Sequence, residues 1–261
     1  MKKITLRTLL TLALCAVILL LPLTAAAPRG KVLIVHGGAD GLGAGDKAVA
    51  DRLTSLGFTV DAIYAKNSTA DSDNGYDLLY VPESVTSADV STKFTDTKAA
   101  VIIGEPGLMD EFLVGQYDST YDSNAYKGTY KVVNDVFGSG IKDAFKGFTT
   151  DDVIPGFLKE RCKGSIVIAE NEKGAPAVTL VKPGAELTDG SKANGYRVQW
   201  FFRRQDSANA SAETWKLFDA AINYMFPKPA AASPTTVDPT LGLLLTSALG
   251  AGTFLASKKH R

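Results

Sequence analysis

The chain has only two cysteines and two histidines among its 261 residues, and each shortage excludes some chemistry. Cys15 falls in an N-terminal leader, so Cys162 would stand alone in the mature chain with no intramolecular disulfide to form. Cys162 lies in a charged stretch, Lys159-Glu160-Arg161-Cys162-Lys163. It reads as a bystander, although basic neighbours could lower a thiol pKa. His36 and His260 are too few and too far apart for HExxH or paired-ligand spacing, so no metal site is expected. A Ser-His-Asp arrangement would depend on His36, and no GxSxG accompanies it. Net charge is absent too: the chain has 28 basic and 28 acidic residues. Setting aside Lys2, Lys3, Arg7, Lys258, Lys259 and Arg261 leaves 22 basic residues, and setting aside Asp238 leaves 27 acidic ones. The remainder is mildly acidic, with no basic cluster to track a phosphate backbone, so nucleic acid is not an expected partner.

The two ends are distinctive. Lys2 and Lys3 precede an apolar run from Leu9 to Leu23, and Ala25-Ala26-Ala27 then offers small residues before Pro28. Residues 1–27 therefore read as a cleavable signal peptide. Residues 227–239 are rich in Pro, Ala, Ser and Thr and read as a linker. Residues 240–261 hold a short, weakly apolar segment, Leu241 to Ala256, followed by Lys258, Lys259, His260 and Arg261. That pattern predicts an anchor or sorting tail, with the basic end cytoplasmic and the body outside. Linker, apolar segment and basic end together resemble the PEP-CTERM sorting tails of bacterial surface proteins. Val237-Asp238-Pro239-Thr240 departs from that class's Val-Pro-Glu-Pro, lacking its first proline and its glutamate. Because the tail looks bacterial, the sequons Asn67-Ser68-Thr69 and Asn209-Ala210-Ser211 are read as chance matches.

Residues 28–226 form the expected domain, which is long enough to bury a sizeable core. Lys31 to Val35 is an unbroken apolar run of strand length. A glycine-rich loop, residues 36–45, leads to a helix ending at Leu56, with Asp46 as its cap, Val49, Leu53 and Leu56 on one face, and Gly57 as the stop. Further strands are expected at Phe58–Tyr64, Tyr76–Val81 and Ala99–Ile103, with a short helix at Ser87–Thr97. After a less regular middle, strands are expected at Tyr130–Val133, Ser165–Ala169, Ala177–Val181 and Tyr196–Phe202. The last helix, from Ser211 to Phe226, has an apolar stripe of Trp215, Phe218, Ile222 and Met225. Alternating strands and helices predict βαβ units, a parallel sheet and helices on both of its faces.

In such a sheet, ligands sit outside the carboxyl ends of the strands. Three segments meet there: His36, Gly37, Gly38 and Asp40; then Pro82, Glu83 and Ser84; then Gly104, Glu105, Pro106 and Gly107. The glycine loop lacks both GxGxxG and GxxxxGK[ST], and it has no hydroxyl for a flavin phosphate. Asp40 and Asp46 would repel an anion. No cofactor is expected. Glu105 follows an apolar strand at a sharp turn, where a shielded carboxyl could act as acid or base with Glu83 or His36. The alternative is that Glu105 binds backbone N–H groups and fixes the turn. Gly37, Gly38, Asp40, Ser84 and Pro106 are the expected ligand contacts.

These residues resemble a family. VLIVHGG, LTSLGFTV, YDLLYVPESVTS and AAVIIGEPGLMDEF, in this order, are similar to the class I glutamine amidotransferase-like fold, and most nearly to its ThuA-like members with an EP-x-L-x-D turn. YRVQWFFRR followed by AETWKLFDAAINYMF is similar to the end of those domains. The resemblance covers roughly residues 31–112 and 195–226. It implies a flavodoxin-like three-layer α/β sandwich and a carbohydrate-related context. It also exposes a departure. Where amidotransferases carry a nucleophilic cysteine this chain has Glu105, and no histidine follows it within the domain. Glutamine hydrolysis is therefore not expected. Three expectations remain: an exported, non-catalytic domain binding a carbohydrate or a surface protein; a carboxylate-based hydrolase or lyase; and a structural envelope protein.

Overall fold

A computed structural model describes residues 28–117, 128–150, 158–203 and 205–228. Its parallel strands are β1 (Lys31–His36), β2 (Thr59–Tyr64), β3 (Leu78–Val81), β4 (Ala100–Ile103) and β11 (Arg197–Gln199). The others are β5 (Gly115–Tyr117), β6 (Thr129–Val132), β7 (Phe145–Lys146), β8 (Leu158–Arg161), β9 (Ser165–Asn171) and β10 (Pro176–Val181). Helices α1 (Ala44–Ser55), α2 (Ser87–Val90) and α3 (Ala212–Met225) complete the set, with short 3₁₀ turns between.

Nine strands form one sheet in the order β2-β1-β3-β4-β11-β10-β9-β6-β7. The wholly parallel sheet expected from the sequence is corrected here. From β2 to β11 neighbours are parallel, whereas β11-β10-β9-β6-β7 run antiparallel. The reason is local. The segments that join β9 to β10 and β10 to β11 contain no helix to carry a parallel crossover, so the chain turns back on itself. A separate antiparallel pair joins β5 to β8.

Strands β1, β3 and β4 are almost fully buried, which is why they read as continuous apolar runs. Their alternate side chains build two cores. Val32, Ile34, Leu78, Tyr80 and Ile102 face α1 and α3, meeting Val49, Leu53, Leu217, Phe218 and Ile222. Leu33, Val35, Leu79, Val81, Val101 and Ile103 face the other way, against Val90, Phe94, Leu108, Met109 and Phe112. The strand order reverses direction at β1, so right-handed crossovers put α1 and α2 on opposite faces. The second face is covered mainly by short turns. The helix expected at Ser87–Thr97 is only α2 plus a 3₁₀ turn, Ser91–Phe94, and Ser91 at φ 46 breaks it. The strand expected to reach Phe202 stops at Gln199. α3 runs close to its expected bounds, with the Ser211 hydroxyl accepting the Thr214 N–H.

Among the described residues no helix is long and apolar enough to cross a membrane. The expected leader (1–27) and the expected tail (240–261) lie outside them.

Candidate functional site

The order β2-β1-β3-β4 places a topological switch between β1 and β3. The segments leaving the carboxyl ends of β1, β3, β4 and β11 meet there. Their approach is close. A Cβ on Gly37 would lie 1.7 Å from the Ser84 carbonyl oxygen, and one on Gly104 would lie 3.3 Å from Pro82 Cα and 3.4 Å from the Phe202 carbonyl oxygen. The Gly37 N–H donates to Ser84 Oγ at 3.2 Å.

His36 ends β1 and is buried, and its Nδ1 has no hydrogen-bond partner among the described residues. Asp40 is exposed on the turn that the Gly41 N–H closes onto the Gly38 carbonyl. That turn is where glycine's freedom is used, with Gly41 at φ 118. The helix cap is corrected. Gly43, not Asp46, is the N-cap of α1, and it contributes no side-chain bond. Asp46 is buried in the first turn, where its Oδ2 accepts the Ser84 hydroxyl at 2.7 Å. Burial pushes its carboxyl pKa up, partly offset by the Ser84 bond and by nearby His36.

The N–H groups at the start of α1 are engaged from far along the chain. Gln205 Oε1 accepts the Gly45 N–H at 2.6 Å and the Asp46 N–H at 3.4 Å. Gly43 and Gly45 make room for it: a Cβ on Gly43 would lie 2.6 Å from Gln205 Oε1, and one on Gly45 2.5 Å from Gln205 Cα. The glycines that suggest a phosphate loop in the sequence thus admit a side chain of the same protein.

Glu105 caps the 3₁₀ turn Pro106–Leu108. Its Oε1 accepts the Gly107 N–H at 2.9 Å, and buried Pro106 takes the first position, where no N–H is needed. One oxygen therefore fixes the turn. The half-buried carboxyl nevertheless has its pKa raised to about 7. Burial is the main cause; the Gly107 bond and Arg203 oppose it, while Glu83 and Glu111 add to it. Glu83 itself lies 3.6 Å from the Arg203 guanidinium, with side chains only 17% and 10% exposed. Glu111 is also raised to about 7, by burial first and then by its bond with Asp110.

The structure therefore gathers His36, Gly37, Glu83, Ser84, Glu105 and Pro106 at one edge and leaves Asp40 exposed. Sequence reasoning missed Arg203, Gln205 and Glu111. The paired arginines after β11 were a usable signal for the first, whereas nothing local marks Gln205. Cys162 is buried on the second face of the sheet; neighbouring Arg161 does lower its thiol pKa, but burial outweighs it and the net shift is upward. Among the described residues no group of His, Cys, Asp and Glu is placed to hold a metal ion. Two surface cavities, of about 510 Å³ and about 460 Å³, lie at the opposite, amino end of the parallel strands, and Tyr76, Lys98 and Ala99 line both.

No protein-family model matches the chain, and no curated protein matches it. Among solved structures it is similar to a putative ThuA-like protein from Parabacteroides merdae, at 10% identity and a TM-score of 0.46, over 80% of this chain and 94% of that one. It is also similar to a glutamine amidotransferase from Thermotoga maritima, at 10% identity and a TM-score of 0.44, over 84% of this chain and 91% of that one.

Proposed function

We propose that this chain is an exported, surface-anchored domain that binds a neutral polar ligand, a carbohydrate foremost, at the strand-end crevice, without turning it over. One observation carries the reading: the groups that would attract an anion there are already engaged. Gln205 fills the start of α1, and Arg203 faces Glu83. What the edge offers instead is the Glu105 carboxyl, with one oxygen on the Gly107 N–H and the capacity to accept hydrogen bonds from hydroxyl groups. Glu105, not a cysteine, stands at the turn, and Cys162 is buried elsewhere, which supports the non-catalytic side. The leader and the basic-ended tail of the sequence support export and anchoring. A surface protein is the alternative partner.

The test is a thermal-shift screen of the purified full-length protein against mono- and oligosaccharides. A ligand at about 100 times its dissociation constant should add about 2.7 kcal/mol. That is a rise of several degrees for a domain of this size. Glu105→Ala should abolish the shift. A flat screen, or a shift that Glu105→Ala leaves intact, would sink the crevice reading. Surface location is checked separately, by protease accessibility on intact cells.

A second reading has its own support. A carboxyl raised to about 7 can give or take a proton near neutrality, as a hydrolase or lyase would require. Turnover of aryl glycosides that Glu105→Gln removes would replace the binding reading with this one. A structural envelope role would leave both assays blank.

A further inference from the structure

The sequence contains Asn-Gly twice, and both times a tyrosine follows: Asn74-Gly75-Tyr76 and Asn194-Gly195-Tyr196. The dipeptide has a chemistry of its own. Glycine carries no side chain to block the approach, so its amide nitrogen can reach the Cγ of the asparagine before it. A carbon–nitrogen bond forms there, the glycine N–H proton leaves with the carboxamide nitrogen as ammonia, and a five-membered succinimide results. Water then opens the ring at one carbonyl or the other. The product is an aspartate, or an isoaspartate in which the main chain runs through the former side chain. Water and the chain itself complete the balance, with no oxidant or reductant.

The two copies differ in how freely the backbone can make that approach. Asn74 and Gly75 are exposed in the turn that precedes β3. The amides on either side are bonded at 3.1 Å, Asn74 N–H to the Asp71 carbonyl and Tyr76 N–H to the Asp73 carbonyl, whereas the attacking Gly75 N–H has no partner among the described residues. The Asn74 carboxamide is held only by Asp71 Oδ1, at 3.5 Å. Gly75 has φ 83 and open space where a Cβ would stand. Opening this turn leaves β3 in place, because Asp77 is bonded separately to Lys31 through its own N–H at 2.9 Å and its carboxylate at 2.8 Å. The second copy is clamped. Gly195 is buried, and a Cβ on it would lie 2.5 Å from the Ala99 carbonyl oxygen and 2.6 Å from that of Lys98. Asn194 Nδ2 donates to the Asp96 carbonyl at 3.1 Å, and the Tyr196 carbonyl accepts the Val101 N–H of β4 at 2.9 Å. Turning Asn194 onto the nitrogen of Gly195 means undocking the entry to β11.

We propose that Asn74 is a site of spontaneous, one-way modification in the folded protein, converting to aspartate and isoaspartate, and that Asn194 is spared by its packing. The conversion changes a defined surface. Asn74 lines the cavity of about 510 Å³ at the amino end of the strands, together with Asp73, Tyr76 and Lys98. A new carboxylate there joins those of Asp71, Asp73 and Asp77, so this face grows more acidic as the protein ages and comes to favour cations over anions. None of this depends on ligand binding at the carboxyl edge, which lies at the opposite end of the sheet.

The test is to warm the full-length protein in mildly alkaline buffer and map its peptides by mass spectrometry, with an isoaspartate-specific methyltransferase to label the rearranged product. In the native protein Asn74 should convert about tenfold or more faster than Asn194, because each rate scales with how readily its own segment opens. In strong denaturant the two matching tripeptides should convert at like rates. Equal native rates, faster conversion at Asn194, or an Asn74 left intact while the unfolded chain converts would each overturn the proposal. Asn74→Gln, whose longer side chain cannot close the five-membered ring, should remove most of the acidic shift that the warmed native protein shows on isoelectric focusing. A shift that persists undiminished in this variant would sink the assignment to Asn74.

Discussion

Raising the pH from about 5 to about 8 should weaken this fold through the Glu105 carboxyl. Its pKa is raised from the ordinary 4.5 to about 7, mainly because burial disfavours the charged form. Between those values the folded chain holds a proton that the unfolded chain has released. Stability must therefore fall as pH climbs through this window and flatten above about 7. At about 1.4 kcal/mol per pKa unit, the full shift corresponds to a ceiling of about 3.4 kcal/mol. The carboxyl is only half-buried, and solvent screening brings the expectation down to about 1–2 kcal/mol. In a domain of this size that is a fall in Tm of about 2–8 °C. Glu111, raised for a similar reason, adds a smaller fall in the same direction. Asp135 and Asp189 have lowered pKa values, so their contributions are complete above about pH 4 and do not slope here. The assay is a thermal melt at matched ionic strength across this range, for the wild type and for Glu105→Gln. The glutamine variant should lose roughly half or more of the slope and should gain stability at pH 8. An identical slope in both proteins, or stability that rises with pH, would refute the assignment.

Two further outcomes follow from buried geometry. Arg197→Ala should destabilise by about 3–5 kcal/mol in urea unfolding, because the buried guanidinium donates to the carbonyls of Thr95, Thr97, Ala99 and Tyr196 and its loss removes those donors, leaving the Tyr196 carbonyl with the Val101 N–H. Ser211→Ala removes the α3 cap and should cost about 1 kcal/mol by the same measurement, with little change in slope against denaturant.

The parallel half of the sheet was legible because burial on both faces writes a continuous apolar run, as in Lys31–Val35 and Ala100–Ile103. α3 was legible for two local reasons, the Ser211 cap and a stripe at helical spacing. The antiparallel half was not. Its strands β6 and β7 are short and partly exposed, and a short apolar run carries no mark of direction. The site was half visible. Glu105 and Glu83 stand out as carboxylates at strand ends, which is a topological signal. Asp46 misled because an acidic residue near a helix start resembles a cap, whereas its actual partner is Ser84. Gln205 was invisible because its partner lies 160 residues away in sequence. Local patterns record neighbours in the chain, and this contact is made only once the sheet has closed.

The junction of the two halves has a consequence for how the chain folds. Val101 of β4 pairs with Arg197 of β11, so the two meet only after the intervening antiparallel strands have been made. A chain synthesised from its N-terminus leaves the β4 edge bare throughout that interval. An unpaired edge of nearly continuous apolar sequence invites pairing with the wrong strand. The hairpin of β9 and β10 can form early by local contacts, whereas docking β11 onto β4 must wait for long-range closure. The β4–β11 seam is therefore the step at which productive folding and aggregation compete.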